Sequence, residues 1–297
     1  MCLPVIPFAV VVPTLNPGPQ WEVWLTALGK QTAQPSRLLV IDSGSDDGAV
    51  SAYDQDGFDL VCIPREHFNH GASRQFAFER VGDEVIAVVF MTQDAVLADE
   101  RALEKLLSAF EDSEVAAAYG RQLPAGDAGP FGAHARLFNY GAASMIKQWG
   151  DREQLGIRTC FLSNSFAAYR CEDLAAIGGF PRTDFGEDML VAARLLVEGR
   201  QIAYVADACV YHSHDYSLLE EFRRYLAVGQ FHSRHTWLLD AFGAATGEGR
   251  RFVQSEMLFL LRNAPHLLPL AVLRTVAKYL GYRAGRMAGR WGRFFAI

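Results

Sequence analysis

Residues Val85 to Met91 form an unbroken apolar run that stops at Thr92-Gln93-Asp94. A half-exposed strand alternates polar and apolar side chains, so a run without alternation is covered on both faces. A strand of this kind belongs to a sheet layered by helices, and an open α/β sheet holds its ligands at the carboxyl edge. Asp94 therefore brings a carboxylate to the edge where chemistry is done. The alternative use of Asp94 is to cap a helix beginning near Asp99.

Three other segments share this form. Phe8-Ala9-Val10-Val11-Val12 runs into Pro13-Thr14-Leu15-Asn16, and Arg37 to Ile41 runs into Asp42-Ser43-Gly44-Ser45-Asp46-Asp47-Gly48. Gly178-Gly179-Phe180-Pro181 and Phe185-Gly186-Glu187-Asp188 lead into a third helix. The spacing predicts strands at 8–12, 37–42, 58–63, 85–91 and 115–119, and helices at 19–31, 46–55, 71–81 and 99–111. A Gly/Pro/Asp loop at 126–132 precedes a helix at 133–149. Strand character resumes at 159–169 and 202–211, on either side of a helix at 187–198. Alternating units of this kind predict a doubly wound, mostly parallel sheet. From Ser217 the pattern is helical to the end, which sets a boundary near 216.

Phe68-Asn69-His70-Gly71-Ala72-Ser73-Arg74-Gln75 and Thr92-Gln93-Asp94-Ala95, with the segments above, carry a resemblance. Over roughly residues 7 to 215 the chain resembles a family-2 glycosyltransferase of the GT-A fold. Within that family it is similar to the bacterial rhamnosyltransferases of surface-polysaccharide (lipopolysaccharide) synthesis. The resemblance implies a catalytic domain at 1–216, with nucleotide-sugar binding in 1–120 and the acceptor and catalytic part in 121–216. Residues 217–297 form a basic, helical C-terminal extension.

Composition excludes other classes. Of 297 residues half are hydrophobic and 21% charged, enough apolar material for a large core and too little charge for disorder. The formal charge of −6 hides an asymmetry, because no acidic residue follows Glu256 while seven basic ones do. Taking those seven from the 28 basic residues leaves 21 against 34 acidic, or −13, for residues 1–256. An acidic body excludes a general nucleic-acid binder and points to a local anionic partner for the tail. Cys2, Cys62, Cys160, Cys171 and Cys209 lack metal-site spacing and read as reduced thiols of a cytoplasmic protein. No Lys or Arg precedes Lys30, so no secretory leader is expected, and no apolar run reaches the length of a membrane span.

A nucleotide-sugar donor needs a grip on its base and ribose, a grip on its diphosphate, and relief for the leaving charge. Asp42 can accept from a ring N–H, and Thr14 and Asn16 can reach base or ribose; plain Asx-turn chemistry is the other reading of that loop. In enzymes like those it resembles, the first-strand Thr and second-strand Asp contact the base. The resemblance thus implies a donor set of Pro13, Thr14, Asn16, Asp42, Ser43, His70, Gly71, Arg74 and Gln93. The helix opening near His70 offers N–H groups, and Arg74 a guanidinium fork, for phosphate. A divalent metal, Mg²⁺ or Mn²⁺, is expected on Asp94. The family's Asp-x-Asp has Thr92 at its first position here, so further ligands must come from His212 and His214, between which the sequence does not choose. Imidazole ligation favours Mn²⁺. Asp188 matches the family's general base, with Glu187 assisting at the acceptor and Asn164 lining the sugar pocket. Helix capping and turn chemistry are their alternatives.

In the C-terminal segment Arg283, Arg286, Arg290 and Arg293 recur every three or four residues on one helical face. Leu280, Tyr282, Met287, Trp291, Phe294 and Phe295 supply apolar area beside them. A basic amphipathic helix reads as an attachment to an anionic membrane surface; packing on the domain or in a homo-oligomer is the alternative. The resemblance, read with these residues, implies an inverting transferase that would move L-rhamnose from dTDP-L-rhamnose to a glycan or lipid-linked glycan; the sugar rests on the resemblance alone. It would be peripheral to the inner face of the cell membrane. A UDP-hexose or UDP-N-acetylhexosamine donor is the alternative within the class, and a non-catalytic nucleotide-sugar-binding protein the alternative outside it.

Overall fold

The structure, a computed structural model, describes residues 6–53, 57–243 and 247–294, with the side chains of 290–294 excepted. The chain divides into two compact units. The first takes Met1–Leu123, Tyr140–Trp149 and Cys160–His212, and the second Pro124–Asn139, Gly150–Thr159 and Ser213–Ile297.

The first unit is a nine-stranded sheet covered by helices. Its strands are β1 (Phe8–Thr14), β2 (Arg37–Asp42), β3 (Asp59–Cys62), β4 (Ala87–Met91), β5 (Val96–Leu97), β6 (Val115–Leu123), β7 (Met145–Lys147), β8 (Phe166–Arg170) and β9 (Gln201–Tyr211). They lie in the order β3-β2-β1-β4-β8-β6-β9-β5, with β7 paired to β9. β3, β2, β1 and β4 run parallel, as do β6 and β9, while β8 is antiparallel to both of its neighbours, β4 and β6. The reversal of β8 brings its amino end to the same edge as the carboxyl ends of β4 and β6. β5 pairs antiparallel with β9, Val96 opposite Tyr211, so Asp94 comes level with the residues that follow β9.

Helices α1 (Gln20–Gly29), α2 (His70–Val81), α3 (Ala102–Leu107), α6 (Cys171–Ala176) and α7 (Glu187–Val197) belong to this unit; α4 (Pro130–Asn139) and α5 (Arg152–Leu155) belong to the second. Trp21, Trp24 and Leu28 recur at helical spacing on α1 and are buried, the two indoles stacked 5.1 Å apart. Burying side chains of this size is worth about 1.5–3 kcal/mol each.

Two elements differ from the sequence expectation. No helix forms over 46–53: the N–H of Ala49 bonds the Asp47 side chain instead, and only a 3-10 turn follows at Ser51–Tyr53. The helix expected over 133–149 ends at Asn139, because Met145–Lys147 pairs with β9 as an edge strand.

In the second unit α8 (Leu218–Arg234), α9 (Thr236–Phe242), α10 (Glu248–Asn263) and α11 (Leu268–Phe294) follow one another. α8 and α11 meet backbone to backbone. A Cβ on Gly281 would lie 2.4 Å from the Phe222 carbonyl oxygen, and one on Gly285 2.1 Å from that of Leu226. Gly289 completes the four-residue repeat, against Ser233. Arg274, buried on the same face of α11, pairs with buried Glu221 of α8. Among the described residues no helix is long and apolar enough to cross a membrane. Cys62, Cys160, Cys171 and Cys209 are free thiols, and Cys2 lies outside the described residues.

Candidate active site

The carboxyl edge of the sheet carries three polar corners. In the first, register sets Thr14 opposite Asp42 at the last pair of β1 and β2. The Thr14 hydroxyl donates to Asp42 Oδ1 at 2.9 Å, and the Ser45 hydroxyl donates to the same oxygen at 2.5 Å. The N–H groups of Gly44 and Ser45 donate to Oδ2 at 3.1 and 2.8 Å. Four donors thus fill a carboxylate with about four lone-pair sites. Ser43 ties back to the Thr14 carbonyl through both its N–H and its hydroxyl, each at 2.9 Å. Exposed Asn16 sits at a left-handed φ of 46°, a conformation Asn tolerates, with its N–H on Ser45 and its side-chain oxygen on the Asp46 N–H. Gln93 spends both ends of its amide on the backbone of Leu15, at 2.7 and 3.0 Å, beside half-buried Pro13.

The second corner is acidic. Gly186, at φ 73°, turns the chain into α7 so that Glu187 and Asp188 open the helix. Glu187 is buried and lies 2.9 Å from a guanidinium nitrogen of equally buried Arg74. It also accepts from the Asn164 side-chain amide at 3.0 Å. Burial disfavours its charge, but Arg74, Asn164 and His70 outweigh burial and hold its pKa below the usual value. Among the described residues, half-buried Asp188 accepts from its own helix N–H at Met189, 2.8 Å, and from the Asn164 N–H at 3.4 Å. Burial, then the adjacent Glu187 charge, push the Asp188 carboxyl up to about 7. Of two neighbouring carboxylates one is fixed as an anion and the other is poised to take a proton, the pattern of an acid–base site.

Arg74 belongs to this corner. It donates to the His70 carbonyl at 3.1 Å and is sequestered with Glu187. Removing either partner would strand the other's charge, at a cost of about 3–5 kcal/mol. Gly71 permits the loop after Gly179 to reach α2, since a Cβ there would lie 1.8 Å from the Pro181 carbonyl oxygen. Asn69 caps α2 through the Ala72 N–H and donates to Asp184, and Gln75 accepts from the Phe180 N–H at 2.7 Å. The motif Asn69 to Gln75 thus seats the loop that carries Glu187 and Asp188.

The third corner can hold a metal. Asp94 Oδ1 lies 3.4 Å from Nε2 of buried His212. His212 Nδ1 is 2.9 Å from the side-chain oxygen of Gln122, whose amide nitrogen donates to the Ser163 hydroxyl at 3.0 Å. That chain of bonds seats the imidazole by its Nδ1 side and turns Nε2 toward Asp94, the orientation a ligand histidine needs. Asp94, His212 and His214 each offer a ligand atom, all within 4.8 Å of one another. One carboxylate oxygen and two imidazoles fit a divalent ion such as Mn²⁺. The Thr92 hydroxyl, at the position of the family's first Asp, is buried.

The sequence pattern of glycosyl transferase family 2 matches residues 9–178. The chain belongs to glycosyltransferase family 2. It is 48% identical over 281 residues to the O-antigen chain rhamnosyltransferase WbaN of Salmonella anatum, covering 94% of this chain and 89% of that one. It is 46% identical to the O-antigen chain rhamnosyltransferase RfbN of Salmonella typhimurium, covering 93% and 88%. Among solved structures, the mannosyltransferase PcManGT of Pyrobaculum calidifontis, in complex with GDP-Man and Mn²⁺, superimposes with a TM-score of 0.62 at 19% identity. It covers 97% of this chain and 88% of its own. TarS 1–349 of S. aureus with UDP gives 0.55 at 15% identity, covering 97% and 92%. The GT-A fold of this glycosyltransferase is therefore the one the sequence suggests.

Sequence reasoning passed over Gln122 and Tyr169. The first lies 90 residues from the histidine it orients, and the second is an aromatic in an apolar strand whose hydroxyl donates to the Asn164 side-chain oxygen at 2.7 Å. No local spacing marks either residue.

Proposed function

We propose that this glycosyltransferase is an inverting, metal-dependent rhamnosyltransferase of O-antigen or related surface-polysaccharide synthesis, with dTDP-L-rhamnose as donor. The arrangement of Glu187 and Asp188 carries the chemistry of the proposal. The rhamnosyltransferase names of relatives close to half identical over nearly the whole chain support the sugar. Asp188 takes the proton of the acceptor hydroxyl as its oxygen attacks the anomeric carbon. The bond to the diphosphate breaks on the opposite face, and its electron pair leaves with dTDP, so the configuration inverts. Such a base must come within about 2.6–3.2 Å of the hydroxyl or reach it through one water. A cation held by Asp94 and His212, with His214 beside them, would neutralise charge on the departing diphosphate. Thr14, Asp42 and Asn16 shape the loop that receives base and ribose, and Arg74 acts by fixing Glu187.

The test is a panel of dTDP-, UDP- and GDP-sugars with Mn²⁺, with Mg²⁺ and with chelator, followed by anomeric assignment of the product. Transfer from dTDP-L-rhamnose with inversion is expected. A preference for a UDP-hexose, or full activity in chelator, would overturn the donor or the metal respectively.

We further propose that the acceptor is lipid-linked and that α11 lies against an anionic membrane. Val272, Leu273, Val276, Tyr279, Leu280 and Met287 are exposed on the face of α11 opposite its glycines, with Arg283 among them. Arg286 is only half-exposed and donates to the His232 carbonyl at 3.1 Å, so it serves packing as well. The side chains of Arg290, Trp291, Arg293 and Phe294 lie outside the described residues, as does Phe295. A Leu273→Glu, Val276→Glu protein should float free of anionic liposomes while still hydrolysing donor; retained binding would remove the attachment.

A further inference from the structure

The segment Ser163–Ser165, just before β8, bonds to the acidic corner directly and to Gln122 and Thr92, which border the metal corner. The reversal of β8 brings its amino end to the edge where β4 and β6 finish. From there the Asn164 side chain donates to Glu187 at 3.0 Å and its N–H to Asp188 at 3.4 Å. The Ser163 hydroxyl accepts from Gln122 at 3.0 Å, and Gln122 meets His212 Nδ1 at 2.9 Å. The Ser165 carbonyl accepts from the Thr92 N–H at 3.4 Å, two residues before Asp94.

The bonds have a fixed direction. Glu187, as an anion, can only accept, so the Asn164 amide must present its nitrogen there and turn its oxygen to Tyr169. The Tyr169 hydroxyl must then donate, which it does at 2.7 Å. Tyr169 is fully buried, wedged edge-on between Phe90 and Phe180 at centroid distances of 5.9 and 5.3 Å, so this donor cannot swing away. On the other branch, the Gln122 oxygen faces the imidazole Nδ1 at 2.9 Å and its nitrogen donates to the Ser163 hydroxyl at 3.0 Å.

We propose that Ser163–Asn164 is a positioning hub with two separable branches: Tyr169 and Asn164 set the base, and Gln122 sets the metal-facing histidine. Tyr169 acts through Asn164 and Gln122 through His212, so both are positioning residues. The inference rests on the reading of Asp188 as base and His212 as ligand. The charged and titratable groups around Asp188 are Glu187 beside it, Arg74 from α2, Tyr169 from β8 and Cys160 ahead of the hub.

The experiment compares Tyr169→Phe, Asn164→Ala, Gln122→Leu and Gln122→Glu with Asp188→Asn, all as full chains. The readouts are dTDP release from dTDP-L-rhamnose, its pH profile, and Mn²⁺ binding without donor, followed by the paramagnetic resonance of free Mn²⁺. Tyr169→Phe keeps the ring and should fold. Its kcat should fall about tenfold with donor KM within about twofold, because alignment is lost while binding is not. Its Mn²⁺ affinity should not change. Gln122→Leu should do the reverse, weakening Mn²⁺ about 10- to 100-fold, as loss of an outer-shell partner does. Its pH profile at saturating Mn²⁺ should match the parent. Gln122→Glu keeps an acceptor for Nδ1 and should recover most of the Mn²⁺ affinity. Should Asn164→Ala fail to fold, Tyr169→Phe tests the same branch. The hub is wrong if Asp188→Asn is inactive while Tyr169→Phe keeps parental kcat, or if every variant moves turnover and Mn²⁺ affinity together. If Asp188→Asn itself turns over normally, it is the underlying base assignment that fails.

Discussion

The corner formed by Thr14, Asp42 and Ser43 and the corner formed by Glu187 and Asp188 each bring a carboxylate to the sheet edge, and the two are treated oppositely. Asp42 receives four hydrogen bonds from its own chain. Asp188 receives one good bond and one long one, next to an anion already held by Arg74. A saturated carboxylate shapes backbone, whereas an under-supplied one beside a fixed charge has proton affinity to spend on chemistry. An aspartate at the end of β2 and an aspartate at the start of α7 are thus supplied with hydrogen bonds in opposite ways, the difference that would divide scaffold from reagent.

The sharpest way to break this contrast is Asp188→Asn, which keeps shape and removes the base. Transfer should fall by about 10²–10⁴-fold while dTDP binding by calorimetry stays at the parental value. Parental turnover in that variant would place the reagent elsewhere.

A pH titration sharpens the same point. The base works when ionised, so kcat/KM should rise with pH through about 7, the value to which burial and Glu187 push Asp188. The stability effect has the opposite sign. A carboxyl raised in the folded state favours folding while protonated, so its contribution is complete below about 4 and is lost as pH rises through about 7. Asp188→Asn should flatten that loss in thermal melts taken between those limits; an unchanged slope would show that Asp188 titrates normally.

How far the sequence reveals these corners follows from the range of the interactions. The strands are legible because each carries its burial in its own composition, as Val10, Val89 and Ala118 do. Asp42, Asp94 and Asp188 are legible as strand-edge or helix-start acids. What separates them comes from residues far along the chain: Gln122 meets His212 across 90 residues, and Asn164, held by Tyr169, meets Glu187 across 23. The loop at 43–49 misleads for the converse reason, since the side chains of Asp42 and Asp47 satisfy the N–H groups of Ser45 and Ala49 that a helix would need. In α11 the arginine repeat draws attention to one set of side chains, while Gly281, Gly285 and Gly289 determine how the helix packs.

Asp42→Ala should act on stability and donor binding rather than on the chemical step. It leaves the N–H groups of Gly44 and Ser45 and the Thr14 hydroxyl without their acceptor, a cost of about 1–3 kcal/mol in urea unfolding. A disordered loop should raise the Kd for dTDP, while kcat at saturating donor falls far less than in Asp188→Asn. A variant with parental dTDP affinity and a collapsed kcat would move Asp42 into the reagent class.

The smallest effect is expected from Thr14→Val, which keeps the branched side chain on β1 and deletes one of Asp42's four donors. The buried hydroxyl contributes about 0.5–1.5 kcal/mol, readable as a shift of the unfolding midpoint. Because three donors remain, the loop keeps its shape, and dTDP affinity should weaken by less than about tenfold. Tyr169→Phe also deletes a single buried hydroxyl, so the pair compares equal chemical losses in the two corners. Turnover at saturating donor should survive in the first and fall in the second. If Thr14→Val lowered kcat as much as Tyr169→Phe with dTDP affinity intact, hydrogen-bond supply would not be what separates scaffold from reagent. Asp42 would then have to be counted with the groups that act during transfer.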